Sequence, residues 1–229
     1  MAKKLVKKNK IKVIPVLILL VVLVILSITI KLLLDVRIKN IYIHGNSNLS
    51  DEYIIEYLDL KDYPSYIKNM AFNLENKLED SPFIKKAKQE KKFFGVLDIT
   101  IEEEGILYYK KYDGKYVLAS KKEVDELPFD YAPVVIINYI PDTEYDDFLL
   151  RYARLSPNVI DKISEIKYDP NTYDSGRFLF YMIDGNYVYV TTTKLESINY
   201  YNDIYPTLDG KKGILYLDSG NHFQAFKKK

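Results

Sequence analysis

The sequence predicts an α+β protein: a single transmembrane helix, then a β-α-α-β-β domain, then a mostly antiparallel β domain with packed helices. Three observations carry that prediction. Residues 13–34 form a long apolar run, short stretches of alternating apolar and polar residues recur from residue 36 onward, and Gly-Asn or Asp-Gly pairs punctuate them.

The run Val13–Leu34 reads VIPVLILLVVLVILSITIKLLL, with no charge between Lys12 and Lys31. At about 1.5 Å per residue it makes a helix of roughly 33 Å, against about 30 Å of bilayer hydrocarbon. Valine and isoleucine occupy every face, which argues against a buried helix of a soluble domain. A cleaved secretory signal would have a shorter apolar region and a small-x-small site, whereas this run ends in Leu32, Leu33 and Leu34. Lys3, Lys4, Lys7, Lys8, Lys10 and Lys12, with no acid among them, hold the N-terminus in the cytoplasm. The expected topology is single-pass type II in the cell membrane: basic cytoplasmic tail 1–12, span 13–34, and the rest outside.

Residues 36–46 alternate, with Ile41 and Ile43 on one face and Tyr42 and His44 on the other, and end in a Gly-Asn turn. Ser50 is placed to cap a helix whose first turn holds Asp51 and Glu52 and whose apolar face is Ile54, Ile55 and Leu58, running to about Leu60. After the break at Tyr63-Pro64-Ser65, Phe72, Leu74 and Leu78 mark a second helix that stops near Ser81, because the residue before Pro82 disfavours helical geometry. Residues 83–91 alternate weakly through Ile84 and Ala87. A Phe93-Phe94-Gly95 turn follows, and then Leu97, Ile99 and Ile101 form a strand.

In the second half, residues 115–120 follow an Asp113-Gly114 turn, and residues 178–182 and 187–192 flank Asp184-Gly185-Asn186, so both regions read as antiparallel hairpins. Phe148, Leu149, Tyr152 and Leu155 give 144–155 a helical face, and 157–163 adds a short helical turn. Residues 196–205 read as one helix stopped by Pro206, and 213–217 and 221–226 are the closing strands. The boundary between the two domains falls near Gly105.

Of 229 residues, about 195 follow the span, enough for two small domains with cores of their own. Six of the 33 basic residues precede the span, which leaves 27 against 32 acidic residues, a net of −5. A mildly acidic exported part excludes nucleic acid as the expected partner. The chain has no cysteine, so neither disulfides nor thiolate metal sites hold it together. Its two histidines, His44 and His222, fall in different predicted domains, and no metal site, cofactor or small-molecule substrate is expected. Glu102-Glu103-Glu104 cannot focus two carboxylates on one substrate, since strand neighbours point to opposite faces, and Asp146-Asp147 on a helix do not face each other. A hydrolase would have to pair Ser219 with His222, without a nucleophile motif to support it. The expectation is therefore a protein that is not an enzyme.

The β-α-α-β-β order directly after an anchor, with IYIHGNSNLSDEYI and LEDSPFIKKAKQEKKFFGVLDITIEEEGILYY, resembles the POTRA domain of the FtsQ/DivIB bacterial cell-division proteins. APVVII, ISEIKYDP, FLFYMIDGNYVYVTTTK, INYYNDIYPTL and GKKGILYLDSGNHF extend the resemblance through the second half in family order. It implies a POTRA domain at 36–104, a β domain at 105–226 and a short C-terminal tail at 227–229. It also implies a non-enzymatic divisome scaffold at the septum that binds FtsB/DivIC-like and FtsL-like bitopic proteins and helps regulate septal wall synthesis.

The partner-binding surface implied is the last strands, here Leu215, Tyr216, Leu217, His222, Phe223, Gln224 and Phe226. A chain-terminal strand often lies at a sheet edge, where another strand can add. A second expected surface is a free edge of the POTRA sheet near Lys85, Lys86 and Lys88. Two departures stand out: Glu103-Glu104-Gly105-Ile106 replaces the family's Glu-x-x-Pro, and the chain is expected to lack a longer tail after Phe226. The alternative reading is a membrane-anchored POTRA scaffold in secretion or envelope assembly.

Overall fold

The computed structural model describes residues 13–66, 74–92 and 95–227. The basic tail 1–12, Phe72, the Phe93-Phe94 turn residues and the last two lysines lie outside the described residues. The chain divides into two compact units, one ending at Glu102 and the other opening at Glu103.

Helix α1 (Val13–Leu34) carries the apolar run, and its side chains from Ile14 to Leu32 are exposed, so nothing among the described residues covers them. Pro15 sits in the first turn, where its missing N–H has no helical partner to lose. Thr29 satisfies its hydroxyl by donating to the Ile25 carbonyl at 2.8 Å, as a hydroxyl in lipid must.

The first unit continues through β1 (Asn40–His44), α2 (Asp51–Tyr57), α3 (Leu74–Glu79), β2 (Ile84–Lys92) and β3 (Val96–Glu103), a β-α-α-β-β order with sheet order β1-β3-β2. β1 runs parallel to β3, setting Ile41 beside Leu97 and Ile43 beside Ile99. Ser50 caps α2, its Oγ accepting from Tyr53 N–H at 3.1 Å. The helix is shorter than the sequence suggests, because Asp59 takes a left-handed conformation (φ 58°) that ends it before Leu60. Ile54, Leu58, Leu60, Leu74 and Leu78 close over Leu97, Ile99 and Ile101 to form the core.

The second unit contains β4 (Ile106–Lys110), β5 (Lys115–Leu118), β6 (Glu123–Val124), β7 (Val134–Ile136), α4 (Asp142–Tyr152), α5 (Pro157–Ile160), β8 (Ile163–Tyr168), β9 (Arg177–Met182) and β10 (Tyr187–Thr191). A chain of helical turns, 3-10 at Thr192–Tyr200, α6 at Tyr201–Ile204 and 3-10 at Tyr205–Leu208, then leads to β11 (Gly213–Tyr216) and β12 (His222–Ala225). The sheet order is β12-β11-β10-β9-β8-β7-β4-β5-β6. Most neighbours are antiparallel, but β10/β11, β7/β8 and β4/β7 are parallel.

The single helix expected at 196–205 is replaced by that segmented run, and Pro206 lies inside its last turn rather than after it. Proline is tolerated there because the first positions of a turn use no N–H. One core joins the helical turns to one sheet face, with Phe148 stacked on Phe178 at 4.6 Å and Tyr152, Ile198 and Tyr201 fully buried beside Val188 and Val190.

Candidate functional site

The C-terminal hairpin forms one border of the nine-stranded sheet, and its alternation sorts the expected contact residues between two faces. β11 and β12 pair antiparallel with Leu215 opposite Phe223 and Tyr216 opposite His222. Leu215 and Leu217 point to the helical side and are buried in the core. They are therefore not exposed contact residues, because a strand covered on one face gives alternate residues to the interior, and they are reached only as the floor of a cleft beside the hairpin. Tyr216, His222, Gln224 and Phe226 lie on the opposite, helix-free face. There His222 stacks flat on Tyr216 at 4.6 Å, Tyr216 stacks on Tyr189, and Phe226 meets Tyr187 edge-on at 5.4 Å.

The same alternation decides which backbone groups face outward. Phe226 N–H donates to the Lys212 carbonyl at 2.8 Å, and Leu217 N–H donates to Tyr189 of β10 at 2.8 Å. Residues 222, 224 and 226 therefore turn their N–H and C=O toward β11, and Phe223 and Ala225 turn theirs away from the sheet. Among the described residues nothing pairs with those outward groups.

Beside this edge is an open cleft of about 490 Å³, walled by Tyr200, Ile204 and Leu208 of the helical run and floored by Leu215, Leu217 and Phe223. Phe223 is half-buried and packs against the core while lining the cleft. Tyr200, Ile204 and Leu208 recur every fourth residue, and Leu208 lies beyond the helix that the sequence predicts over 196–205. Gly213 lets β12 approach: a Cβ there would sit 2.2 Å from the Gln224 carbonyl oxygen and 2.8 Å from the Ala225 Cα.

Two polar clusters hold the hairpin in place. Buried Asn186 accepts from Gly213 N–H at 2.9 Å and donates to the Tyr201 hydroxyl, which donates to Asp184 at 2.6 Å. Burial and that bond to Asp184 push the Tyr201 hydroxyl pKa upward, so it stays a donor. On the helix-free face the Arg177 guanidinium lies 3.4 Å over the Tyr189 ring, donates to Asp218 at 2.7 Å and reaches Asp169 at 3.3 Å. The hydrogen bond from Lys167 is the chief reason the Asp169 carboxyl lies below its ordinary range, with Tyr189 and Arg177 adding to it. Burial pushes Asp218 up, but donation from Arg177 and Ser219 outweighs it and leaves Asp218 low.

Ser219 and His222 are not arranged as nucleophile and base. The Ser219 hydroxyl donates to Asp218 at 3.0 Å, and His222 Nδ1 faces the Ser219 carbonyl oxygen at 3.1 Å, where it can only donate. Among the described residues no three histidine, aspartate or glutamate side chains gather as a metal site would require.

The POTRA edge expected at Lys85, Lys86 and Lys88 is closed to strand addition, which corrects that expectation. β2 is an outer strand, but Glu79 of α3 accepts from Ala87 N–H at 3.0 Å and Glu75 accepts from Gln89 N–H at 2.6 Å. These carboxylates occupy the donors that an added strand would need. Lys85 pairs with Glu102 at 2.5 Å and Lys88 with Glu90 at 2.7 Å, so their charge is answered within the domain, while Lys86 is exposed.

Residues 36–104 match the POTRA domain, FtsQ-type. The chain is similar to the cell division protein DivIB of Bacillus cytotoxicus, 28% identical over 196 residues, covering 82% of this chain and 76% of that protein. DivIB of Bacillus subtilis is 27% identical over 201 residues, covering 84% and 75%. Among solved structures, the major extracytoplasmic domain of the trans isomer of DivIB from Geobacillus stearothermophilus aligns with a TM-score of 0.39 at 22% identity, over 47% of this chain and 96% of that one.

Proposed function

From the premise that this is a division-related POTRA protein, similar to DivIB and membrane-anchored with an extracellular domain, we propose that it is a non-enzymatic scaffold of the septum. Its β domain captures an extended segment of a partner by strand addition on β12. The observation that carries this reading is the outward pair of backbone groups on Phe223 and Ala225, set beside an apolar cleft. An incoming strand gains main-chain hydrogen bonds from that edge, while its alternate side chains fall either into the cleft or onto the His222–Gln224 face.

Phe223 and Ile204 supply apolar anchoring, and Tyr216, His222, Gln224 and Phe226 form the second, more polar flank. The partners are FtsB/DivIC-like and FtsL-like bitopic division proteins, and the consequence of capture is stabilised or regulated septal wall synthesis. Anchoring in a type II orientation confines the β domain to the layer in which such partners emerge, and this raises their effective concentration without any new contact. A photocrosslinker scanned along residues 221–226 in living cells tests the reading. Crosslinks to one bitopic partner that are strongest at 223 and 225 support it, and an absence of crosslinks with septa intact contradicts it.

A further inference from the structure

The POTRA domain begins almost as soon as the span ends. α1 closes at Leu34, Asp35 N–H still donates to the Lys31 carbonyl at 3.1 Å, and the next residue, Val36, already accepts from Tyr66 N–H at 2.7 Å. Ile38 N–H donates to Pro64 at 3.1 Å, Arg37 bridges Ser65, and Lys39 N–H donates to Gly95 at 2.8 Å. Two residues of chain reach at most about 7 Å, and the headgroup layer beyond the hydrocarbon is roughly 5–7 Å deep. Residues 35–39 and 61–66 are therefore held at the height of the lipid headgroups, with no linker long enough to let the domain swing clear.

The side chains at this pole have the composition of a membrane–water interface. Tyr63 is 48% exposed and keeps that ring outward on a positive φ of 46°, a conformation that bulky residues rarely adopt. Tyr66 is half-buried, and its hydroxyl donates to the Lys92 carbonyl at 2.7 Å. Arg37, Lys39 and Lys61 are exposed, and among the described residues no carboxylate pairs with them. Asp35 and Asp62 are exposed on the same segments, Glu52 and Glu56 of α2 share a cleft with Lys61 and Tyr63, and Lys92 is already paired with Asp98, which leaves Arg37 and Lys39 as the cations turned toward the span. Amphipathic tyrosine rings settle among headgroups, and lysine and arginine settle on their phosphates.

We propose that this pole of the POTRA domain sits in the outer headgroup layer, with Tyr63 and Tyr66 as interfacial rings and Arg37 and Lys39 bound to phospholipid phosphates. Lipid contact then fixes how the domain stands on the membrane. The proposal needs the span to be inserted, but it does not need β12 to capture a partner.

The absence of cysteine gives the test a clean background. Lys61→Cys places one fluorophore at the pole. His44→Cys places one at the far end of β1, roughly 16 Å along the strand from Lys39. Full-length protein is reconstituted in phosphatidylglycerol–phosphatidylcholine vesicles containing a nitroxide-headgroup lipid. Strong quenching at 61 and weak quenching at 44 are expected. Arg37→Gln with Lys39→Gln should lower the ratio of seated to free domain about 30-fold, at about fivefold for each basic residue near an anionic surface. Changing to pure phosphatidylcholine should shift the unaltered protein the same way. Equal quenching at the two positions, or quenching at 61 that ignores both Arg37/Lys39 and lipid charge, would overturn the proposal.

Discussion

Proline at position 225 separates binding at the β12 edge from folding of the sheet. Ala225 turns its N–H away from β11, so Ala225→Pro removes no hydrogen bond of the free protein, and edge strands are where proline is tolerated. In a strand-added complex the same change deletes one donor and leaves the partner's carbonyl without it, a cost of ~1–3 kcal/mol. That corresponds to a dissociation constant weaker by about 5- to 150-fold. Gln224→Pro is the matched control, because its N–H faces β11 and its loss damages the ladder itself. Affinity would be measured by fluorescence anisotropy with detergent-solubilised full-length protein and the partner's extracellular segment, alongside thermal unfolding. An Ala225→Pro protein that melts like the parent and binds with unchanged affinity would refute the strand-addition reasoning.

Other outcomes follow from the same geometry. Phe223→Asp, which puts a charge in the apolar cleft, should abolish partner pull-down, whereas Phe226→Asp on the opposite, exposed face should weaken it far less; equal effects would mean that the cleft is not the anchor. Gly213→Ala forces its new Cβ against the β12 backbone and should cost ~1–3 kcal/mol in urea unfolding, with reduced binding as β12 shifts. Tyr201→Phe strips the hydroxyl that joins Asp184 and Asn186 and should cost ~1–3 kcal/mol, read as a lower melting temperature. Asp169 and Asp218 titrate below the unfolded value near 3.9, so their stabilisation is complete above about pH 4 and disappears as pH falls through the folded values. The stability gap between the parent and Asp218→Asn should accordingly be wide near pH 6 and close in stronger acid.

What the sequence could disclose depended on how local the determining physics was. The span needed only its own uncharged run, and Ser50 as a cap needed only the residues just after it. The parallel pairings β4/β7, β7/β8 and β10/β11 join strands separated by whole helices or hairpins, and Val134–Ile136 is too short to show a period. No pattern confined to one stretch encodes them. Leu215 and Leu217 could have been assigned to the interior from the period of two alone, since they sit on the same parity as the strand's buried face. Closure of the POTRA edge was not readable, because Glu75 and Glu79 reach Gln89 and Ala87 only once α3 has packed against β2. The cleft was hidden for a similar reason: Ile204 and Leu208 meet Phe223 across the fold.

Amide hydrogen exchange at residues 222–226, with and without the partner segment, addresses strand capture most directly. In the free protein His222, Gln224 and Phe226 should exchange slowly and Phe223 and Ala225 quickly, because only the first three amides face β11. On binding, Phe223 and Ala225 should become protected while the other three change little. Protection that rises evenly along the strand, or Phe223 and Ala225 amides that stay fast in the saturated complex, would contradict capture by strand addition.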